Sequence, residues 1–560
     1  MQQTTVPVRR QSVQKAWLIT LWQQHAARCT KLQLVAIAVF SIGLLTIALE
    51  SVTLGGAMRH GVGLVQFAWH RVAAHDSDTA TDSPTSPPEI YVSEDSRVCY
   101  YTRDVGLISE IRSARKMFCE RPTGFSTHRT QVSLIDLNGR GLNLRAMTFS
   151  RDLSLDFTNA SIHRPIASIA QDGGSHNPRF NWNPSMVSCG CDELKAYADD
   201  TATAGSSDKL TPLRLWDPQF AGTPEAYDEP SSVCASSPPS QRQESVSSGP
   251  VVHIDEKTIL ISRRDDHNPF FQISNALNAW LLMRAFNWKR DETRVVHMDG
   301  GYASHVDALH HALLSSPSTI PLLRGREDLV GNRVQFTNDV VVLPNEATGP
   351  MMQHLNDDEP CYDSHLFKSF RAEALEAMHV DELAVDTSRQ ITVTIVSRRN
   401  YGGRRVQRRW LNEDEVVAAM QHKYSDYHGV PITIQSVDFV DMSLEHQMET
   451  VLKSDVIIGM HGAGMVNVLW TKPETLVVEI FPKNRLRWGY RNLCQFVGCD
   501  WHQYRGGNDT GKGDNASDKT IPVDLWEAFF DPLFSGYLSK LVTVKRAVMV
   551  DEQPQRLRVN

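Results

Sequence analysis

Several familiar signatures are missing from this chain. It has no G-x-G-x-x-G, the turn that seats a dinucleotide, and no complete Walker G-x-x-x-x-G-K-[ST]. It has no repeated C-x-x-C, which argues against a structural zinc ion. Its only D-x-D, Asp76-Ser-Asp78, lies in a stretch of Asp, Ser, Thr and Pro, a poor frame for a catalytic metal. Excess positive charge is also absent: 57 Lys and Arg against 65 Asp and Glu give a net charge of −8, so no global field attracts nucleic acid. No internal repeat is evident. Hydrophobic residues at 41% and charged residues at 22% exclude a wholly disordered or fibrous chain. At 560 residues the chain outgrows one core and predicts roughly three to four units of domain size.

A local absence sets the topology. From Met1 to Lys31 there is no acidic residue, while Arg9, Arg10, Lys15, Arg28 and Lys31 are basic. Leu32 to Leu49 then runs uncharged and mostly apolar up to Glu50. At about 1.5 Å per residue this is roughly 27 Å of helix, enough for a thin bilayer. The basic flank points the N-terminus to the cytosol, and so long a leader argues against a cleaved signal peptide. The expectation is a type II, single-pass protein of the Golgi or ER membrane, with a cytosolic tail at 1–31, an anchor at 32–49 and the remainder luminal. Cys29 precedes the span and eight cysteines follow it, an even number that permits a disulfide framework. Cys189 and Cys191 are too close to bond each other without strain, so different partners are expected. Sequons place candidate glycosylation at Asn159, Asn508 and Asn515, all on the luminal side.

Texture divides the rest. Residues 50–88 end in Asp, Ser, Thr and Pro and read as a stem. Residues 89–250 form a luminal N-terminal region without an assignable fold, with a disordered insertion at about 198–250. Beyond Pro250 the rhythm becomes strand, loop, helix, strand. Thr258–Ser262 and Thr293–Met298 read as strands. Ile273, Ala276, Leu277, Trp280 and Leu281 make one helical stripe, and Val306, Leu309 and Leu313 begin another. A second set holds the strands Ile391–Val396, Pro431–Val437, Val456–Met460 and Leu476–Phe481, with helices at Glu413–His422 and after Ser443. This is βαβ grammar. It predicts an α/β protein with two Rossmann-like domains facing a cleft, at 251–380 and 381–510, and a C-terminal segment at 511–560.

Ligands of open α/β sheets bind beyond the carboxyl ends of the strands. Ser397, Arg398 and Arg399 follow one such end, His461-Gly462-Ala463-Gly464 another, and Glu479 sits near a third. The two glycines let backbone N–H groups approach a phosphate, and the short helix running through Asn467 adds positive potential. Arg398 and Arg399 suit a diphosphate, and His461 suits a phosphate oxygen. Glu479 among apolar strand residues needs a partner: ribose hydroxyls, or Arg485 or Arg487 in a salt bridge. The basic run Arg404, Arg405, Arg408 and Arg409 has two readings, contact with a phosphate or an acidic glycan and a solvated loop, and the loop is favoured because charge runs are usually solvated. Together the three strand ends predict a nucleotide-diphosphate site.

The run Ser454-Asp455-Val-Ile-Ile-Gly-Met-His461-Gly-Ala-Gly464, with Val-Val-Glu479-Ile-Phe after it, resembles the signature of glycosyltransferase family 61. So do Ile-Val-Ser397-Arg398-Arg399-Asn-Tyr401, Arg409-Trp-Leu-Asn412-Glu413, Ser443-Leu-Glu-His-Gln447 and Met298-Asp299-Gly300. The resemblance covers about Val251 to Tyr504, and its spacing is most similar to plant-type β-1,2-xylosyltransferases. It implies a GT-B-like enzyme of the secretory pathway that inverts configuration and needs no metal, with no cofactor beyond a nucleotide-sugar donor. The expected donor is UDP-xylose and the expected acceptor a glycoprotein glycan. The donor would be held by Ser397, Arg398, Arg399, His461, Gly462, Ala463, Gly464, Asn467 and Glu479, and the leaving diphosphate neutralised with help from Lys483. Other branches of the family imply transfer of N-acetylglucosamine to protein or to O-mannose. In one respect the chain departs from the family: a His and an Asp four residues on are common there, and Phe271 and Asn275 stand in their places. Inverting transfer needs a base, so the role is expected to pass to His267 or Asp299. His267 otherwise reads as a turn residue before Pro269, and Asp299 as a cap for the following helix. An inactive glycan-binding protein is the alternative of another class.

Overall fold

The computed structural model describes residues 94–122, 129–137, 144–150, 153–163, 179–180, 187–188, 250–263, 268–343, 349–351, 361–382, 390–401 and 405–556. The expected membrane span at 32–49, the stem, Asp76-Ser-Asp78 and His267 lie outside these residues. Among the described residues no helix is long and apolar enough to cross a membrane.

The fold is mixed α/β and built on parallel strands. In the C-terminal half a six-stranded sheet runs in the order Asp426–Tyr427, Val430–Val437, Ile391–Val396, Val456–Met460, Leu476–Ile480, Asp500–Tyr504. Every pair is parallel except the first. All side chains of Ile391–Val396, Val456–Met460 and Leu476–Ile480 are buried, because helices cover both faces. Glu413–Lys423, whose first turn carries Glu413, Asp414 and Glu415, supports one face. Leu444–Lys453, capped by Ser443 on the N–H of His446, supports the other.

A seven-stranded sheet lies in the N-terminal half. Its parallel part is Asp339–Leu343, Lys257–Ile261, Thr293–His297 and Leu323–Arg324, of which the second and third fall on the expected strands Thr258–Ser262 and Thr293–Met298 and the other two were not expected. Antiparallel strands Arg115–Pro122, Arg129–Asp136 and Arg145–Ser150 extend it, joined at Asp339–Leu343. The region before residue 250 therefore shares a sheet with the region after it, which sequence texture did not foretell.

Helix Pro269–Phe286 positions the two halves. Asn268 caps it, with Oδ1 accepting from Phe270 N at 3.2 Å, and Pro269 occupies the first turn. The helix ends at Asn287 in the left-handed region, φ 56°. Gln272 through Met283 are all buried. The apolar residues among them belong to one core that runs from Ile259 and Val341 to Ile457, Val466 and Trp470. The two parallel sheets thus share a core beneath the strand ends. Disulfides join Cys99 to Cys361 and Cys494 to Cys499.

Candidate functional site

Strands Val456–Met460 and Leu476–Ile480 set the register of the site, with Gly459 opposite Glu479. One residue past the first strand, His461 N still donates to Ile480 O at 2.8 Å. The chain then turns at Gly462 into the 3₁₀ helix Ala463–Trp470. His461 Nδ1 lies 2.5 Å from Glu479 Oε1, and Trp501 Nε1 donates to Glu479 Oε2 at 2.9 Å. The imidazole stacks on Phe481 at 4.8 Å and tilts against Tyr490 at 5.4 Å. Glu479 is 1% exposed and both of its oxygens are engaged. The expectation that it meets ribose hydroxyls, or pairs with Arg485 or Arg487, is therefore corrected: Glu479 orients His461.

Arg398 reaches the same turn. A β-carbon built on Gly462 would fall 1.8 Å from Arg398 Nη1 and 2.4 Å from its Cζ, so the glycine makes room for the guanidinium. At φ 170° Gly462 is simply extended. Arg398 is steadied by Nε and Nη2, which both donate to Gln407 O at 3.2 Å. Arg399 goes elsewhere: its side chain is 58% exposed and faces Asp414 at 3.6 Å and Glu413 at 3.9 Å. Ser397 is buried, with its hydroxyl on Glu413 and on Ser436 Oγ at 2.6 Å. Neither residue is presented to the turn, which corrects their expected place beside Arg398. Asn467 is buried and its Nδ2 donates to Gln447 Oε1 at 3.0 Å and Gly464 O at 3.1 Å, so it braces the turn from within. Lys483 is exposed, its backbone N–H held by Asp509 at 2.8 Å.

Sequence reasoning missed several members of this cluster. Arg408, expected in a solvated loop, sits in the left-handed region at φ 58°, where a non-glycine residue is uncommon. Its Nε donates to His461 O at 2.8 Å, and its Nη1 to Asn515 O at 2.6 Å and Oδ1 at 2.7 Å. Arg485, Arg487, Tyr490 and Trp501 complete the surroundings. A signal existed for two of them, since Lys483, Arg485 and Arg487 directly follow a strand end of the same sheet. Arg409, by contrast, is consumed by Asp518 at 2.6 Å.

The charges leave one sign in excess. Burial, and then the guanidiniums of Arg408, Arg485, Arg398 and Arg487, hold His461 well below its ordinary pKa, so it is neutral. Burial pushes the Glu479 carboxyl up to about 8. Burial pulls Arg408 and Arg485 down to about 10, with neighbouring arginines adding to the effect. A concentration of guanidiniums this strong, around a turn of backbone N–H groups, suits a polyanion.

The first sheet presents its own strand ends. Asp299 is 1% exposed and locked: Arg263 donates to it through N at 2.8 Å, Nη2 at 2.9 Å and Nε at 3.1 Å, and Gly301 N adds 2.8 Å. Buried and held in this ion pair, Asp299 is not presented to a substrate, and the expectation that it is a base is corrected. It does not cap the next helix either, which begins after Val306. Of the departures, Asn275 is buried and Phe271 half-buried on helix Pro269–Phe286. His297, Asp307 and His310 cluster with one ligand atom each within 4.8 Å. Most of their polar atoms are already engaged, however: His297 Nε2 bonds His310 Nδ1 at 3.0 Å, His310 Nε2 bonds Gln272 O at 2.8 Å, and Asp307 pairs with Arg263 at 3.0 Å and Arg324 at 3.1 Å, which leaves His297 Nδ1 without a hydrogen bond. Two adjacent cations make this a poor metal site.

Of the sequons, Asn159 and Asn508 are exposed, whereas Asn515 is half-buried with Oδ1 on Arg408.

Residues 250–478 match the family model for glycosyltransferase 61. A β-1,2-xylosyltransferase of Oryza sativa subsp. japonica is 21% identical over 263 residues, 44% of this chain and 49% of the relative. An EGF domain-specific O-linked N-acetylglucosamine transferase of Drosophila melanogaster is 26% identical over 156 residues, 28% of this chain and 27% of the relative. A β-1,2-xylosyltransferase of Arabidopsis thaliana is 28% identical over 105 residues, 18% of this chain and 20% of the relative. The chain thus spans about half the length of the rice relative and less of the other two. Residues 250–478, which carry Arg398 and the His461–Gly464 turn, are thus the part of this chain that matches glycosyltransferase 61.

Proposed function

We propose that this protein is an inverting glycosyltransferase of GT-B-like architecture. It moves a sugar, xylose in the leading reading, from a UDP-linked donor to a glycoprotein glycan in the secretory pathway. The observation that carries the reading is Arg398 seated against Gly462, with Arg408 tied to the carbonyl of His461. The diphosphate would sit over this turn, its charge met by Arg398, Arg408, Arg485 and Arg487, and His461 Nε2 is the ring nitrogen left to face it. Stabilising the departing diphosphate is the largest electrostatic task in such a transfer.

In the transfer the acceptor oxygen bonds the anomeric carbon as that carbon's bond to the diphosphate breaks. The diphosphate leaves with the electron pair, and the acceptor's proton passes to a base. With Asp299 locked by Arg263, His267 takes that role in this proposal. Disulfides at Cys99–Cys361 and Cys494–Cys499 favour an oxidising compartment, in keeping with a luminal catalytic part. N-acetylglucosamine is the second reading for the sugar, because the relatives include transferases named for both sugars.

Thermal stabilisation of the full chain by UDP and by NAD, followed by hydrolysis of UDP-xylose and UDP-N-acetylglucosamine, tests the proposal. UDP alone should stabilise, by mass action on the native state. Stabilisation by UDP without turnover of either sugar would favour the inactive glycan-binding reading, and stabilisation by NAD would reject both.

A further inference from the structure

The carboxyl end of the first parallel sheet holds a buried ionic lattice that the donor site does not use. Arg263, with a side chain 0% exposed, bridges Asp299 and Asp307, and its Nη1 also donates to Tyr302 O at 2.9 Å. Arg324 adds a second cation on Asp307, and Ser304 Oγ bonds Asp307 at 3.0 Å and Gln272 Oε1 at 2.6 Å. Buried ion pairs are seldom a net source of stability, so a lattice this complete is better read by what it positions. Every one of these contacts converges on the loop between Thr293–His297 and the helix Asp307–Leu314.

That loop delivers one large aromatic side chain to the surface. Tyr302 is 50% exposed while its carbonyl is gripped from below. Arg326 lies over its ring, 4.4 Å from the centroid, with Nη1 3.3 Å from the phenol oxygen and Nε fixed on Gly300 O at 2.8 Å. The loop also lies on the side of the molecule that holds the donor turn. Ser304 touches Gln272 at the start of helix Pro269–Phe286, Phe270 of that helix meets Tyr490 edge-on at 5.5 Å, and Tyr490 meets His461.

We propose that Tyr302, backed by Arg326, is a stacking platform for one sugar ring of the acceptor glycan. A pyranose has an apolar C–H face and a rim of hydroxyls. A phenol ring suits the face, and the Arg326 guanidinium, which lies over one side of that ring with Nη1 3.3 Å from the phenol oxygen, suits the rim. The proposal rests on the glycosyltransferase reading and deepens it by naming where the acceptor is held.

The test uses the full chain and the trimannosyl-chitobiose core oligosaccharide, with binding measured by calorimetry and UDP affinity measured in parallel. Tyr302→Ala should weaken the oligosaccharide by about tenfold or more, Tyr302→Trp should keep it within about threefold, and Arg326→Ala should fall between them. UDP affinity should be the same in all of them, which also reports that each variant is folded. Equal oligosaccharide binding by Tyr302→Ala would overturn the platform. So would equal weakness of the Ala and Trp variants, failure of the unaltered chain to bind the oligosaccharide, or binding of an unglycosylated polypeptide acceptor in its place. Loss of UDP binding by the unaltered chain would instead reject the donor-site reading, with the platform still judged on the oligosaccharide.

Discussion

The guanidinium of Arg398 occupies the space where Gly462 would otherwise carry a β-carbon, 1.8 Å from Nη1. Gly462 is extended, so alanine meets no backbone strain there, and the obstacle is the arginine alone. Gly462→Ala should therefore fold normally and displace Arg398. UDP affinity should fall by about tenfold with an unfolding midpoint close to that of the unaltered protein, as read by calorimetry and a thermal scan.

Arg408 serves the same turn with an added backbone requirement. Arg408→Ala should lose UDP affinity by about tenfold and also lose stability, on the order of 1–2 kcal/mol, because three hydrogen bonds vanish while the left-handed strain, which arginine bears as well, stays. Arg408→Gly should recover part of the stability and none of the affinity. Denaturant titration beside UDP titration separates the two effects.

Asp299 and His267 should behave in different ways. Asp299→Ala leaves Arg263 charged and buried, so stability should drop by about 3–5 kcal/mol. His267→Ala should lower turnover by about 10²–10⁴. Full turnover in His267→Ala would remove it as the base.

The Glu479 carboxyl predicts a dependence on pH. Its folded value of about 8 stands above the ordinary 4.5, so the native state keeps a proton that the unfolded chain releases. Its contribution to stability is complete below pH 4.5 and declines as the pH climbs to about 8. In Glu479→Gln that decline should disappear. The difference in unfolding free energy between the two proteins should shift by about 1 kcal/mol or more between pH 5.5 and 8.

The parallel strands were legible because burial on both faces demands unbroken β-branched runs. Ile391–Val396 and Val456–Met460 match their expected bounds, and Leu476–Ile480 ends one residue early. The caps of Asn268 and Ser443 act on the chain locally, and Ser443 was recognised. The strands from Arg115 to Ser150 were not, since their pairing to Asp339–Leu343 is a relation between distant segments that no local period records. The turn after Met460 announced itself through its glycines. Which side chains face it did not: Arg398 and Arg399 are adjacent in sequence, yet one is tucked against Gly462 and the other turns to Asp414. Glu479 was rightly expected to need a partner, but a register opposite Gly459 gave it His461 instead of a ligand.

Ser150 Oγ donates to Asp339 Oδ1 at 2.6 Å across a separation of 189 residues, at the seam where the early strands meet the later sheet. A chain emerging from a ribosome at about 5–20 residues per second must wait roughly 10–40 s between making the first of these partners and the second. For that interval the hairpins from Arg115 to Ser150 have an unpaired edge, and the nascent protein depends on whatever shields such an edge until Asp339–Leu343 arrives.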